Sequence, residues 1–246
     1  MSSRPSRGPG APAPEHDDRF EEIFARADHI PGWLTRDQAR TLYDAASDLP
    51  PNACIIEVGS HQGRSTVVLA AAREDVEVVA IDPFVGGKFG GELTRRQFEH
   101  HLAENRLAER VRLLAARSEQ VRSSWTEQVG LVYVDGKHDC WSTSHDLGWS
   151  AFLPPGGLVL VHDSFSSIGV TLGLLTRALP RRDLRYLGRV GSLAILEKAR
   201  PRLGDRLRLL AELPWWARNV GLKVLLRLRL NPLARAVGHH DPFDPY

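Results

Sequence analysis

Apolar residues fall into two different periods along the chain. From Phe20 to Leu49 they recur at helical spacing, with Ile23, Phe24, Ile30, Trp33, Leu34, Leu42 and Tyr43 as expected core positions. Pro31-Gly32 breaks this stretch into two short helices, and Pro50-Pro51 ends it. The period then changes. Cys54 to Val58 is a short continuous apolar run bounded by turn residues, as expected of a strand buried on both faces. A glycine-bearing loop and a helix over 65–73 follow, and further strands are predicted at 76–81, 111–115, 131–134, 158–161, 184–187 and 193–196. Helical segments separate the first five, which predicts a mostly parallel sheet with helices on both faces and right-handed crossovers. The last two strands lie too close together for a helical crossover. Gly188 and Gly191 between them predict a hairpin, placing one antiparallel strand toward one side. The expected fold is α/β, a doubly wound seven-stranded sheet with helical additions at both ends.

Composition divides the chain further. Of 246 residues, 42% are hydrophobic and 25% charged, ordinary globular material with enough apolar surface for a sizeable core. Residues 1–18, rich in Pro, Gly, Ser and Arg, read as a disordered tail; 19–50 form a helical cap, 51–198 the central domain, and 199–246 a basic extension. The net charge of +2 is too balanced for a protein whose affinity rests on neutralising phosphates, so no nucleic-acid partner is expected. Cys54 and Cys140 show no paired spacing, which fits a reduced, cytoplasmic setting. No stretch reaches the roughly 20 apolar residues of a membrane span.

In open α/β sheets, ligands bind at the carboxyl ends of the strands. The first strand runs into Glu57-Val-Gly59-Ser-His-Gln-Gly63-Arg-Ser65, where two glycines let backbone approach a ligand and Ser65 stands near a helix N-terminus. The second ends in Asp82, a carboxylate placed to accept hydrogen bonds from two ribose hydroxyls. The absence of a GxGxxG turn disfavours a dinucleotide and favours a ribose-bearing ligand without a pyrophosphate.

These residues resemble the class I S-adenosylmethionine-dependent methyltransferases, and within them the metal-dependent O-methyltransferases of catechol and bacterial sugar type, over roughly 52–198. The resemblance implies a Rossmann-like sheet and an enzyme that transfers a methyl group. It further implies that Glu57, Gly59, Ser60, Gly63 and Ser65 hold the amino-acid end of the cofactor. Asp82 matches the ribose-binding acid, Ser118 a residue beside the adenine, and Asp135 a further cofactor contact.

The fourth strand runs into Asp135-Gly-Lys-His138 and the fifth into His162-Asp163. Neighbouring strands end about 4.8 Å apart, so Asp135 and Asp163 can converge on one cation, with oxygen ligands suited to Mg²⁺ or Mn²⁺. By resemblance the ligand set is Asp135, His162 and Asp163; the imidazole favours Mn²⁺. His138 occupies the place where catechol-type relatives carry a general-base lysine and sugar-methylating ones a histidine. Its ordinary pKa near 6.5 suits proton abstraction. The implied function is O-methylation of a sugar or glycosylated small molecule. Alternatives are a catechol-like acceptor, a hydroxylase on the same scaffold, or a cofactor-binding protein without catalysis.

On the acceptor side, the glycine-rich 85–91 stretch reads as a lid, Trp141 and Phe165 as residues able to stack on a substrate ring, and Trp149 as core. His61, His100, His101 and His145 are further candidate substrate contacts. The extension after Lys198 carries nine Arg and Lys against four Asp and Glu. A helix over 214–230, with Trp215-Trp216 and a basic strip, reads either as packing on the core or in a homo-oligomer, or as a peripheral contact with the inner face of an anionic membrane.

Overall fold

The computed structural model describes residues 14–85 and 91–236. Two helices, α1 (Pro14–Asp28) and α2 (Arg36–Ser47), precede the alternation β1 (Cys54–Val58), α3 (Arg64–Ala72), β2 (Glu77–Ile81), α4 (Glu92–Glu104), β3 (Val111–Leu114), α5 (Ser118–Ser123), β4 (Leu131–Val134), α6 (Cys140–Asp146), β5 (Leu158–Val161) and α7 (Ile168–Ala178). The hairpin strands β6 (Arg185–Val190) and β7 (Leu193–Glu197) follow, then α8 (Leu203–Leu210), α9 (Leu213–Arg227) and α10 (Asn231–Ala236). The sheet order is β3-β2-β1-β4-β5-β7-β6, with β7 antiparallel to both neighbours and every other pairing parallel. This is the expected seven-stranded arrangement.

All five residues of β1 are buried, because it lies mid-sheet between β2 and β4 with helices on both faces. One core layer joins the sheet to α1, α2 and α3 through Phe20, Ile23, Leu42, Tyr43 and Val68. The other joins it to α7 and the C-terminal helices through Trp149, Val161, Phe165 and Leu174.

Several expectations are corrected. Residues 14–18, placed in a disordered tail, are helical; Asp17 pairs with Arg40 at 2.7 Å and His16 with Asp44 at 3.0 Å, tying α1 to α2. Residues 1–13 lie outside the described residues. Trp33, predicted to be buried, is 55% exposed in the turn between those helices. The strand β6 runs on through Gly188, which marks a register shift, and the hairpin turns at Gly191-Ser192 instead. Phe165 is fully buried against Tyr186 and cannot stack on a substrate. Trp149 is core as expected, and Trp141 is exposed.

The extension docks on the body by one face of α9. Arg189 stacks over the Trp215 ring at 3.7 Å, Asn219 Nδ2 donates to Phe165 O at 3.1 Å, and Leu222 is buried. The tryptophan pair therefore packs inward and is removed from a membrane-interface role. Among the described residues, no helix is long and apolar enough to cross a membrane.

Candidate active site

The carboxyl ends of β1, β2, β4 and β5 meet at one sheet edge, and tight turns aim their side chains there. Gly59 leaves β1 with φ +87°, and a Cβ on it would lie 2.2 Å from Asp135 O. Only glycine lets the β1 and β4 ends approach so closely. Gly63, at φ +93°, starts α3. Between them Ser60 is buried, and Asp82 is half-exposed with each oxygen held by a backbone N–H, from His61 at 2.9 Å and Phe84 at 2.8 Å. That clamp fixes the carboxylate while leaving a lone pair on each oxygen to accept a further hydrogen bond.

Glu57 and Ser65 are together but turned toward each other. Ser65 Oγ donates to Glu57 Oε1 at 2.6 Å and Thr66 Oγ1 to Oε2 at 2.5 Å, with Glu57 fully buried. Burial pushes the Glu57 carboxyl up to about 7 despite those donors. Ser118 opens α5 and accepts a hydrogen bond from Trp149 Nε1 at 2.8 Å, at the β3 end of the same edge.

Beyond β4 and β5, two carboxylates and two imidazoles converge. His138 places Nε2 3.4 Å from Asp135 Oδ1 and Nδ1 3.2 Å from Asp163 Oδ2. His162 places Nδ1 3.3 Å from Asp135 Oδ1 and 3.7 Å from Asp163 Oδ1. Potential ligand atoms of Asp135, His138 and Asp163 all lie within 4.8 Å of one another, a group that holds His138 where the expected ligand set has His162. Burial alone would lower His162, but the charges of Asp135 and Asp163 outweigh it and push it up to about 9. Burial would likewise raise Asp135, yet His162 and His138 hold it well below the usual carboxylate range. The Asp135 bond raises His138, with Asp163 adding to it.

The turns behind this cluster are strained and strongly tied. Asp163 sits at φ +53°, outside the regions a side chain favours. Ser166 Oγ donates to its Oδ1 at 3.1 Å, Ser164 N to Ser192 O at 2.8 Å, and Phe165 N to Thr171 Oγ1 at 2.9 Å. Asp139 caps α6 by accepting from Ser142 N at 2.8 Å, fixing the loop that carries His138.

The other histidines divide differently. His101 Nδ1 lies 2.8 Å from Gln62 O, a structural bond; His100 pairs with Glu104, and His145 is exposed on α6. Most of the glycine-rich stretch, 86–90, lies outside the described residues. Two contacts were missed from sequence: Tyr133 donates to Asp135 Oδ2 at 3.1 Å, and Gln38 Oε1 lies 3.2 Å from His162 Nε2. Tyr133 reads as one more apolar strand residue, and Gln38 carries only the signal of a helix-capping pattern.

Residues 56–164 match a family model described as a methyltransferase domain. This segment is a methyltransferase domain. Solved structures extend the likeness across the sheet and beyond it. An O-methyltransferase from Bacillus cereus, in complex with S-adenosylhomocysteine, is 17% identical with a TM-score of 0.53, covering 76% of this chain and 92% of that one. The O-methyltransferase TomG from Streptomyces achromogenes, involved in tomaymycin synthesis and in complex with S-adenosylmethionine, is 18% identical at TM-score 0.53, covering 76% and 91%. A methyltransferase from Geobacter sulfurreducens is 20% identical at TM-score 0.53, covering 79% and 92%. At these identities the structures carry the fold. Together with the family match, they bear out the class I methyltransferase fold that the motifs of this domain resemble.

Proposed function

We propose that this methyltransferase domain moves the methyl group of S-adenosylmethionine to a hydroxyl of a sugar or glycosylated small molecule, aided by a divalent cation. The observation that carries this reading is the convergence of Asp135, His138, His162 and Asp163 at the sheet edge that also holds Asp82. The residues fit a cation: His162 Nδ1 is buried, without a hydrogen-bond partner, and faces both carboxylates. Asp135, His162 and Asp163 would hold the ion, and mixed imidazole and carboxylate donors suit Mn²⁺ better than Mg²⁺. A bound cation supplies Lewis acidity that lowers the pKa of the acceptor hydroxyl.

The chain's own groups do the rest. Asp82 orients the ribose, while Gly59 and Gly63 let the backbone approach the amino-acid end. His138, the most open of the four converging groups with 47% of its side chain exposed, would take the hydroxyl proton as the oxygen bonds to the methyl carbon, whose bond to sulfur breaks to release S-adenosylhomocysteine. The sugar class rests on a histidine standing where the resembled catechol-type enzymes carry lysine. The C-terminal extension is read as a peripheral contact for an anionic membrane surface, supported by its exposed arginines.

The test is labelled S-adenosylmethionine offered with sugar and catechol acceptors, with Mg²⁺, Mn²⁺ or EDTA. Transfer to a sugar hydroxyl is expected with Mn²⁺ and lost in EDTA. His138→Ala should lower kcat by about 10²–10⁴-fold while cofactor affinity stays unchanged. Turnover without S-adenosylmethionine but dependent on iron and an oxo-acid would overturn the reading in favour of a hydroxylase.

A further inference from the structure

Gln38 lies outside the methyltransferase domain in sequence, on the first turn of α2, and is 1% exposed. Part of its role is local: Thr35 and Gln38 form a capping box, with Thr35 N donating to Gln38 Oε1 at 3.0 Å. Such a cap needs one side-chain oxygen at the surface. Here the amide is buried and makes two further bonds, each to a distant segment. Its Nε2 donates to Ser192 Oγ at 3.0 Å, in the turn between β6 and β7, and its Oε1 lies 3.2 Å from His162 Nε2. Gly191 makes room for it, since a Cβ there would stand 3.3 Å from Gln38 Nε2.

These contacts decide which end of the amide faces which partner. Thr35 N can only donate, so the oxygen faces it, and His162 Nε2, which shares that oxygen, must carry a proton. With the proton fixed at Nε2, a neutral His162 presents its lone pair at Nδ1, the atom aimed at Asp135 and Asp163. We infer that Gln38 is a positioning residue of the active site: it holds the His162 ring in the orientation and tautomer in which Nδ1 is a cation ligand. The N-terminal helical pair is then part of the reaction site as well as a cover for α3. This inference rests on the cation site proposed above.

Mn²⁺ binding to the full chain, followed by electron paramagnetic resonance with melting temperature and S-adenosylmethionine affinity alongside, tests both readings separately. Wild type is expected to bind one Mn²⁺ and Asp135→Asn to bind none. Gln38→Met, close in shape but without the acceptor, should weaken Mn²⁺ about 10–100-fold with cofactor affinity unchanged. Gln38→Glu restores the acceptor and should restore the affinity. Ser192→Ala removes a bond to the amide but spares the His162 contact, so it should lower the melting temperature and leave Mn²⁺ affinity within about twofold of wild type. Wild-type binding with Gln38→Met equally tight, or with Gln38→Glu as weak as Gln38→Met, overturns the role of Gln38 alone. A wild type that binds no Mn²⁺ overturns the cation site and this inference with it.

Discussion

Glu57 shows how a single residue couples the β1 turn to pH. Its carboxyl, enclosed by Ser65 and Thr66 on the first turn of α3, is pushed by burial from 4.5 up to about 7. A folded value above the unfolded one means that the native state holds its proton longer. The stabilisation is full below the unfolded pKa and is lost as pH rises through about 7. A gap of this size is worth about 3 kcal/mol across that window. Urea unfolding of Glu57→Gln should therefore show a variant that gains on wild type as pH rises from 4.5 to 8. A stability difference that stays constant over that range would contradict the assignment. In the sequence, Glu57 stands out only through the motif that it opens with Gly59, Gly63 and Ser65, which resembles that of the O-methyltransferases. Its partners, eight and nine residues on, became visible only once the Gly59 and Gly63 turn folded α3 back over β1.

At the scale of elements, the α6–α7 pair sets where His138 stands. A Cβ on Gly169 would lie 2.3 Å from His138 O, and one on Gly173 would lie 2.7 Å from Thr143 Cβ. Two glycines one turn apart thus let α7 press directly on the backbone that carries His138 and begins α6. Gly169→Ala should push that backbone away, costing about 1–3 kcal/mol of stability and lowering kcat more than cofactor affinity. Gly221→Ala on α9, where nothing lies within 4 Å, is the control; it should leave kcat unchanged and add up to about 1 kcal/mol to stability. An equal kcat in both variants would show that α7 does not fix the histidine. The strands themselves were legible because apolar runs between turn residues leave little choice of conformation. The start of α1 was not: the Pro- and Gly-rich composition hid ion pairs that form only when α2 is beside it. Gln38 and His162 are 124 residues apart, and nothing local in either segment announces the contact.

For the whole molecule, the small net charge of +2 conceals a division that the fold turns into a surface. Among the described residues of the extension, every exposed charged side chain is an arginine. The two acids among those described residues are withdrawn: Asp205 Oδ2 accepts from Arg202 N at 2.8 Å, and Glu212 is held by Arg189 at 2.8 Å and Tyr186 at 3.1 Å. Leu203 and Leu207 stand exposed on α8, which also carries the exposed Arg208; Leu228, flanked in the chain by Arg227 and Arg229, stands exposed at the end of α9, and Leu233 on α10. Cations interspersed with leucines suit an anionic bilayer, where each arginine near the surface contributes about 1 kcal/mol at low ionic strength. The full chain should co-sediment with phosphatidylserine-containing vesicles, ignore phosphatidylcholine ones, and dissociate as salt shortens the screening length. Replacing Arg208, Arg227 and Arg229 together by alanine should weaken binding about 100-fold or more, without changing methyl transfer to a soluble acceptor. Sizing of the same samples supplies the competing outcome: a dimer that forms without vesicles, is disrupted by Leu228→Asp and does not sediment with lipid would assign this face to a second copy of the chain.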